Sequence, residues 1–161
     1  MVHSFGTRGS QVQILPLPPF SSILGTDTAQ NYTSAACPFD YGFVPQTLWD
    51  DNDALDVVVL TTYPLAVGIL VTVRPVAIIN MVDSGEADDK IVAVPVDDRR
   101  WDEVKELEDV NKHTLKEIVH FFETYKNLKG KPAPVEIKGI KGRAEAEAAF
   151  ERARKLYNDA K

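Results

Sequence analysis

The spacing of apolar positions divides the chain into a sheet-forming part followed by a helical part. Short β-branched or apolar runs of strand length recur through the middle of the chain. Because these runs lie close together in sequence, a compact antiparallel or barrel-like sheet is expected and βαβ units are not. The predicted strands cover residues 56–61, 68–73, 75–81, 91–95 and 135–138.

Two helices are predicted after the first four strands. Thr114 and Glu117 match a capping box, and Gly130 is expected to end the helix that begins there. The second helix is predicted over residues 143–158. The apolar stripes are Leu115, Ile118, Val119 and Phe122 on the first helix, and Ala146, Ala149, Phe150, Ala153 and Tyr157 on the second. A series of strands with helices towards the end predicts the α+β class.

Residues 1–36 differ from the rest of the chain. They are rich in Ser, Thr, Gly, Gln and Pro, and they are read as a divergent, poorly ordered, mostly loop-like segment. The folded domain is predicted to cover residues 37–161.

Composition and charge exclude several classes of protein. With 44% hydrophobic and 26% charged residues the chain is globular, and a net charge of −6 without a basic stripe argues against a nucleic-acid partner. The longest apolar run, residues 63–73, is shorter than the roughly 20 residues that a membrane helix needs, so no membrane partner is expected. The single cysteine, Cys37, fits a reducing compartment, and a cytoplasmic location is predicted.

An acidic segment leads directly into the strand at residues 56–61. Asp50, Asp51, Asp53 and Asp56 fall within seven positions. Acidic loops are commonly no more than solvated surface. Two details favour a site here: Asp51 and Asp53 share a side of an extended chain, and an unpaired charge on Asp56 would be costly at the start of a buried strand.

A second acidic cluster, Asp83, Glu86, Asp88 and Asp89, also falls between two strands. Carboxylates without nearby histidine or cysteine favour Mg²⁺ or Mn²⁺ over Zn²⁺. An EF-hand loop is excluded, because the sixth and twelfth positions counted from Asp51 are neither Gly nor Glu. Bound cations would let such an acidic pocket hold a phosphate substrate.

Residues 51–57 resemble the signature of family I soluble inorganic pyrophosphatases, Asp-x-Asp-Pro-x-Asp, with Ala54 in place of the common Pro. Further stretches similar to that family follow in the same order and spacing. They are residues 41–48, 74–76, 81–83, 88–95 and 120–126.

The resemblance implies an OB-type five-stranded β-barrel with two main flanking α-helices. It also implies an Mg²⁺-dependent inorganic diphosphatase, with Mn²⁺ as a substitute, that splits pyrophosphate into two phosphates. A homo-oligomer, commonly a hexamer, is expected on the same basis.

The same resemblance assigns roles to individual residues. Asp51, Asp56 and Asp88 would hold the tightest metal, Asp83 would join Asp88 in holding a metal that arrives with substrate, and Asp53 would accept the proton of the attacking water. The groups that would contact phosphate are Tyr41, Lys90, Tyr125 and Lys126, with Lys131 as a minor contributor.

The resemblance ends at the N-terminal segment. The family places an N-terminal strand there, with a Glu, a Lys and an Arg at the site, whereas residues 1–36 contain no Glu, no Lys and only Arg8. The absent strand is expected to leave a sheet edge exposed. Residues 1–25 are expected to be mobile and dispensable, so that their deletion leaves the rate unchanged. The alternative function is therefore a catalytically impaired, metal-binding relative that acts as a non-enzymatic subunit.

Overall fold

A computed structural model describes residues 10–15, 37–128 and 135–161. The strands are β1 (Ser10–Leu15), β2 (Asp40–Phe43), β3 (Asp56–Val59), β4 (Leu70–Asp83), β5 (Glu86–Ala87), β6 (Lys90–Pro95) and β7 (Val135–Gly142). The helices are α1 (Lys112–Thr124) and α2 (Arg143–Asp159), and two 3₁₀ turns cover Arg99–Trp101 and Leu107–Asp109.

Five of these strands close into a ring. Hydrogen bonds join them in the order β1–β2–β3–β6–β4, and β4 pairs again with β1. The β3–β6 pair is parallel and the other pairs are antiparallel, while β5 and β7 pair with β4 outside the ring. The structure thus confirms the α+β class and the five-stranded barrel with two helices.

Strand β1 corrects the interpretation of the N-terminal segment. The loop prediction is wrong over Ser10–Leu15, which pairs with both β2 and β4 and so closes the barrel. Gln11 and Gln13 alternate with Val12 and Ile14, which is the period-two signal of a strand. Val12 is fully buried, and the expected open edge is therefore covered. The rest of residues 1–36, and Gly130 and Lys131, lie outside the described residues.

Strand β4 joins two predicted strands into one. The sequence pattern predicts residues 68–73 and 75–81 as two separate strands. The strand instead continues through a register shift between Pro75 and Ala77. A bulge accommodates a residue that has no N–H to donate, so the proline does not end the strand.

The two helices cover different sides of the sheet. Helix α2 contributes Ala146, Ala149 and Phe150 to one buried apolar cluster, whereas Ile118 and Phe122 of α1 belong to a second apolar cluster. Residues along β3 alternate between these clusters, with Val57 and Val59 in one and Val58 in the other. This two-sided burial explains why the run at β3 reads as continuously apolar.

The start of α1 also differs from the prediction. Asn111 is the N-cap, and its side chain accepts hydrogen bonds from the backbone N–H groups of His113 and Thr114. The capping box predicted at Thr114 and Glu117 is therefore wrong, since an asparagine three residues earlier satisfies the free backbone donors. Within the described residues no helix has the length and apolar character to cross a membrane.

Candidate active site

Parallel pairing of β3 and β6 brings the two acidic segments together. The register sets Asp56, the first residue of β3, opposite Lys90, the first residue of β6. The acidic loop leads into β3 and the second cluster leads into β6, so both loops open at the same end of these strands. Residues that are 34 positions apart in sequence thus become neighbours.

Asp56 is the centre of a compact polar network. The phenolic oxygen of Tyr41 donates a hydrogen bond to Asp56 Oδ2 at 2.5 Å, and Lys90 Nζ donates to the same oxygen at 2.5 Å. The Lys90 ammonium also forms an ion pair with Asp88. The Lys90 side chain is only 4% exposed, so its charge is matched almost entirely by these two carboxylates.

Burial and charge shift the proton affinities of this network. Burial opposes the charge on Lys90, but the carboxylates of Asp56 and Asp88 outweigh it and raise the pKa of Lys90. Burial, followed by the negative charge of Asp56, raises the pKa of Tyr41 well above its ordinary value. At neutral pH both groups therefore keep their protons and act as hydrogen-bond donors.

Asp51 and Asp53 lie in a tight turn before β3. The backbone N–H of Trp49 donates to Asp53 O at 2.7 Å, and the Asp53 N–H donates to Asp51 Oδ1 at 3.1 Å. Burial first, and then the negative charges of Asp88 and Asp56, raise the pKa of Asp51. Asp51 therefore shares one electrostatic environment with Asp56 and Asp88, whereas the Asp53 side chain is exposed.

Thr47 fixes both ends of this acidic loop and was not identified from the sequence. Its hydroxyl donates to Val44 O at 2.6 Å and accepts from the Leu55 N–H at 2.9 Å. The residue is buried, with 4% exposure. A neutral threonine between Gln46 and Leu48 gives no charge signal, although it lies inside the family-like stretch at residues 41–48.

The end of α1 supplies the other predicted cation. Lys126 forms an ion pair with Asp83, and its ammonium lies 5.3 Å from the centre of the Tyr125 ring. Burial, followed by the charges of Asp83, Asp88 and Asp56, raises the pKa of Tyr125. The Asp83 group thus adjoins the Asp56 network.

Two acidic residues of the second cluster are separate from these groups. Asp89 accepts hydrogen bonds from Asn80 Nδ2 at 2.8 Å and from the Met81 N–H at 3.0 Å, so it stabilises β4. Glu86 is exposed on β5. Proximity in sequence alone does not place a carboxylate at the site.

The donor set suits a hard cation. The candidate ligands Asp51, Asp56, Asp83 and Asp88 offer only carboxylate oxygens, which Mg²⁺ and Mn²⁺ prefer. In the described part of the chain no three acidic, imidazole or thiol groups converge as metal ligands do. The Lys90 ammonium occupies the oxygens of Asp56 and Asp88 on which such a cation would bind, so lysine and cation would compete for them.

The chain matches a known family over most of its length. A family model described as "Inorganic pyrophosphatase" covers residues 26–158. The chain belongs to the inorganic pyrophosphatase family. The resemblance seen at residues 51–57 is thereby confirmed.

Members of the inorganic pyrophosphatase family from several organisms align with this chain. The protein from Haloferax volcanii is 47% identical over 123 residues, which make up 76% of this chain and 68% of that protein. The protein from Geobacillus stearothermophilus is 49% identical over 100 residues, 62% of this chain and 61% of the relative. The match thus spans less than two thirds of the second relative.

The fold of this inorganic pyrophosphatase family member is also similar to solved structures. The inorganic pyrophosphatase of Helicobacter pylori superposes with a TM-score of 0.79 at 34% sequence identity. The superposition covers 94% of this chain and 88% of the H. pylori chain.

Proposed function

We propose that this chain hydrolyses inorganic pyrophosphate to two phosphates, with Mg²⁺ as its cofactor and Mn²⁺ as a substitute. The observation that carries the proposal is the network at Asp56, where a buried ammonium and a phenol meet two carboxylates. The carboxylates of such a site can bind divalent cations. Lys90 and Tyr41 can donate hydrogen bonds to phosphate oxygens. Family membership supports the same reaction.

The carboxylates are proposed to divide their roles by position. Asp51, Asp56 and Asp88, which share one electrostatic environment, would hold the tightest metal ion, and Asp83 would join Asp88 at a metal that enters with substrate. When bound, Mg²⁺ supplies the positive charge that offsets the polyanion and acidifies a water molecule.

Asp53 is the proposed proton acceptor. Its side chain is exposed, and one carboxylate oxygen accepts the adjacent Ala54 N–H at 2.8 Å. Since no described cation pairs with this carboxylate, its second oxygen can take a proton from water. A positioned general base typically contributes a factor of about 10² to 10⁴ to the rate.

Four side chains are proposed to hold the phosphate groups. Lys90 and Lys126 can donate charge-assisted hydrogen bonds, and Tyr41 and Tyr125 can donate from phenols that burial keeps protonated. These donors come from β2, β6 and the end of α1, so they approach the carboxylates from different elements.

The decisive experiment is phosphate release from pyrophosphate by the purified full chain. Activity is expected with Mg²⁺, should disappear in excess EDTA and should return when Mg²⁺ is restored. Ca²⁺ is expected to bind but to support little turnover, because its looser coordination positions water poorly. Hydrolysis in metal-free buffer would refute the mechanism. Metal binding without phosphate release would instead support the non-enzymatic subunit.

The proposal also covers the oligomeric state of the protein and the compartment in which it acts. We expect a homo-oligomer, commonly a hexamer in this family, that acts in the cytoplasm, where an unpaired thiol such as Cys37 stays reduced. Light scattering after size-exclusion chromatography measures the oligomeric state, and a monomer at micromolar concentration would contradict it.

A further inference from the structure

The acidic loop rests against helix α2. The backbone N–H of Leu48 donates to the carbonyl oxygen of Ala153 at 3.0 Å. Trp49 is buried, with 6% exposure, in the same apolar cluster as Ala149 and Ala153. The start of the loop is therefore attached to the helix by the backbone of Leu48 and by the ring of Trp49.

Arg152 on the same helix contacts the next two residues of the loop. Its guanidinium carbon lies 4.5 Å from the centre of a Trp49 ring, and its Nη2 is 2.5 Å from Asp50 Oδ1. A single side chain thus contacts two consecutive residues, although 102 positions of sequence separate Arg152 from Asp50.

We propose that Arg152 is a positioning residue for the metal-binding loop. It would orient Asp51 and Asp53 through their neighbours without touching metal or substrate. The inference rests on the proposed function, because it states that Arg152 increases the affinity of that same site for cations.

The geometry of the turn shows how the effect would be transmitted. The Trp49 N–H bonds to Asp53 O at 2.7 Å, and Asp51 follows Asp50 directly, so rotation of the Trp49–Asp50 segment moves both candidate carboxylates. Asn52 has a φ of 65°, in the left-handed region that a non-glycine residue adopts at a cost. Contacts around the turn must therefore hold that conformation.

The same helix offers a matched control. Arg154 also forms an ion pair at 2.5 Å, but its partner is Glu151 of α2 itself. Both pairs are partly exposed, and such pairs contribute little to stability. The two pairs differ in their acidic partner, since of these two arginines Arg152 pairs with the acidic loop and Arg154 pairs within the helix.

Binding of Mn²⁺ in the absence of pyrophosphate tests the inference, with isothermal titration calorimetry as the measurement. We expect Arg152→Met to weaken the tightest Mn²⁺ site by about three- to tenfold. Arg152→Lys keeps a charge for Asp50 but loses the planar stacking on Trp49, so an intermediate effect is expected. Arg154→Met should bind Mn²⁺ like the unchanged chain.

A second measurement needs no metal. In hydrogen exchange followed by mass spectrometry, Arg152→Met should speed the exchange of residues 48–55 several-fold in EDTA, while Arg154→Met should not. Asp50→Asn should reproduce the effect, and the double variant should show less than the sum of the two changes.

The outcomes separate this inference from the proposed function. If the unchanged chain binds no Mn²⁺, the proposed function fails. Hydrogen exchange then decides by itself whether Arg152 holds the loop in place. If it binds Mn²⁺ and Arg152→Met binds it equally well, the positioning role is overturned and the proposed function stands. Should Arg152→Met not fold, the comparison of Arg152→Lys with Arg154→Met decides.

Discussion

Lys90 lies directly opposite Asp56 in the parallel register of β3 and β6, and its ammonium nitrogen is 2.5 Å from the Asp56 carboxylate. The Lys90 side chain is 4% exposed, whereas Asp56 and Asp88 are 24% and 15% exposed. The pairing therefore buries a cation against two anions at the mouth of the site. Loss of the ammonium leaves the carboxylate charges uncompensated, and loss of the carboxylates leaves the ammonium charge uncompensated.

Lys90→Met should destabilise the metal-free protein. Removing the ammonium leaves the carboxylates of Asp56 and Asp88 facing each other without a cation between them, at a cost of about 3 kcal/mol. Urea unfolding in EDTA, followed by circular dichroism, measures the change in the free energy of unfolding.

The control for this substitution is Lys138→Met. Lys138 pairs with Glu136 at 2.5 Å, but the two side chains are 51% and 65% exposed, so the change should stay below about 1 kcal/mol. Equal free energies of unfolding for the Lys90 and Lys138 variants would contradict the importance of the buried pair.

Substitutions at Asp53 and Asp56 should separate catalysis from metal binding. Asp53→Asn is expected to lower the rate and shift its pH profile with little change in Mg²⁺ affinity, because an exposed base is lost. Asp56→Asn should lower both the affinity and the rate, because this carboxylate is shared by Tyr41 and Lys90.

Metal titration of both variants, followed by rate measurements at saturating Mg²⁺, checks this division. Excess Mg²⁺ should restore part of the activity of Asp56→Asn and none of that of Asp53→Asn. Equal loss of metal affinity in the two variants would show that Asp53 is a ligand.

Val12→Ala should test whether β1 belongs to the core. Val12 is fully buried between strands β2 and β4, so its truncation should cost about 2 kcal/mol of unfolding free energy. Chemical denaturation measures the change. Leu70→Ala is the control, because Leu70 pairs with β1 but is 53% exposed, and a change within about 0.5 kcal/mol is expected.

Deletion of residues 1–15 extends the same test. The barrel would lose the strand that joins β2 to β4, so a lower unfolding midpoint and a tendency to aggregate are expected. A deletion variant as stable as the full chain would show that β1 contributes nothing to the fold.

The Cys37 thiol should react slowly in the folded protein. Burial raises the pKa of Cys37 to about 12, and only the thiolate is nucleophilic. At pH 8 iodoacetamide should label the folded chain roughly a thousandfold more slowly than the chain in urea, where the pKa is about 8.5. Mass spectrometry of time points measures both rates, and similar rates would contradict the burial of the thiol.

The same shift has a consequence for stability. The thiol binds its proton more tightly in the folded chain than in the unfolded chain. Its contribution to the free energy of unfolding is therefore fully present below about pH 8.5. That contribution is lost as pH rises towards about 12, since the unfolded state ionises first. Cys37→Ser should remove this part of the alkaline dependence of the unfolding midpoint.

The spacing of apolar residues along the chain was sufficient to predict some of the helices and strands. Helix α2 extends over Arg143–Asp159 against a prediction of residues 143–158, and β3 begins at Asp56 as expected. Burial on both faces of β3 makes it a continuous apolar run. Five strands were predicted, but the barrel consists of a different five. The two predicted halves of β4 form one strand, β7 lies outside the ring, and the ring includes β1 and β2, which were not predicted.

The resemblance of residues 51–57 to a family signature was confirmed, whereas the residue roles that it implies stay predictions. The structure does bring several of the named side chains together, with Tyr41, Asp56, Asp88 and Lys90 in one network and Asp83 paired with Lys126. It leaves Asp53 exposed and assigns Asp89 to the support of β4.

The sequence by itself determined the acidic segment, the apolar strand that follows it and the family to which they point. Only the tertiary structure decided that Lys90 faces Asp56, that Lys126 reaches Asp83 and that Arg152 reaches Asp50, pairs separated by 34, 43 and 102 positions. The reason is physical: spacing along the chain sets the period of a strand or helix, but the neighbour across a sheet depends on which strands pair and in which register.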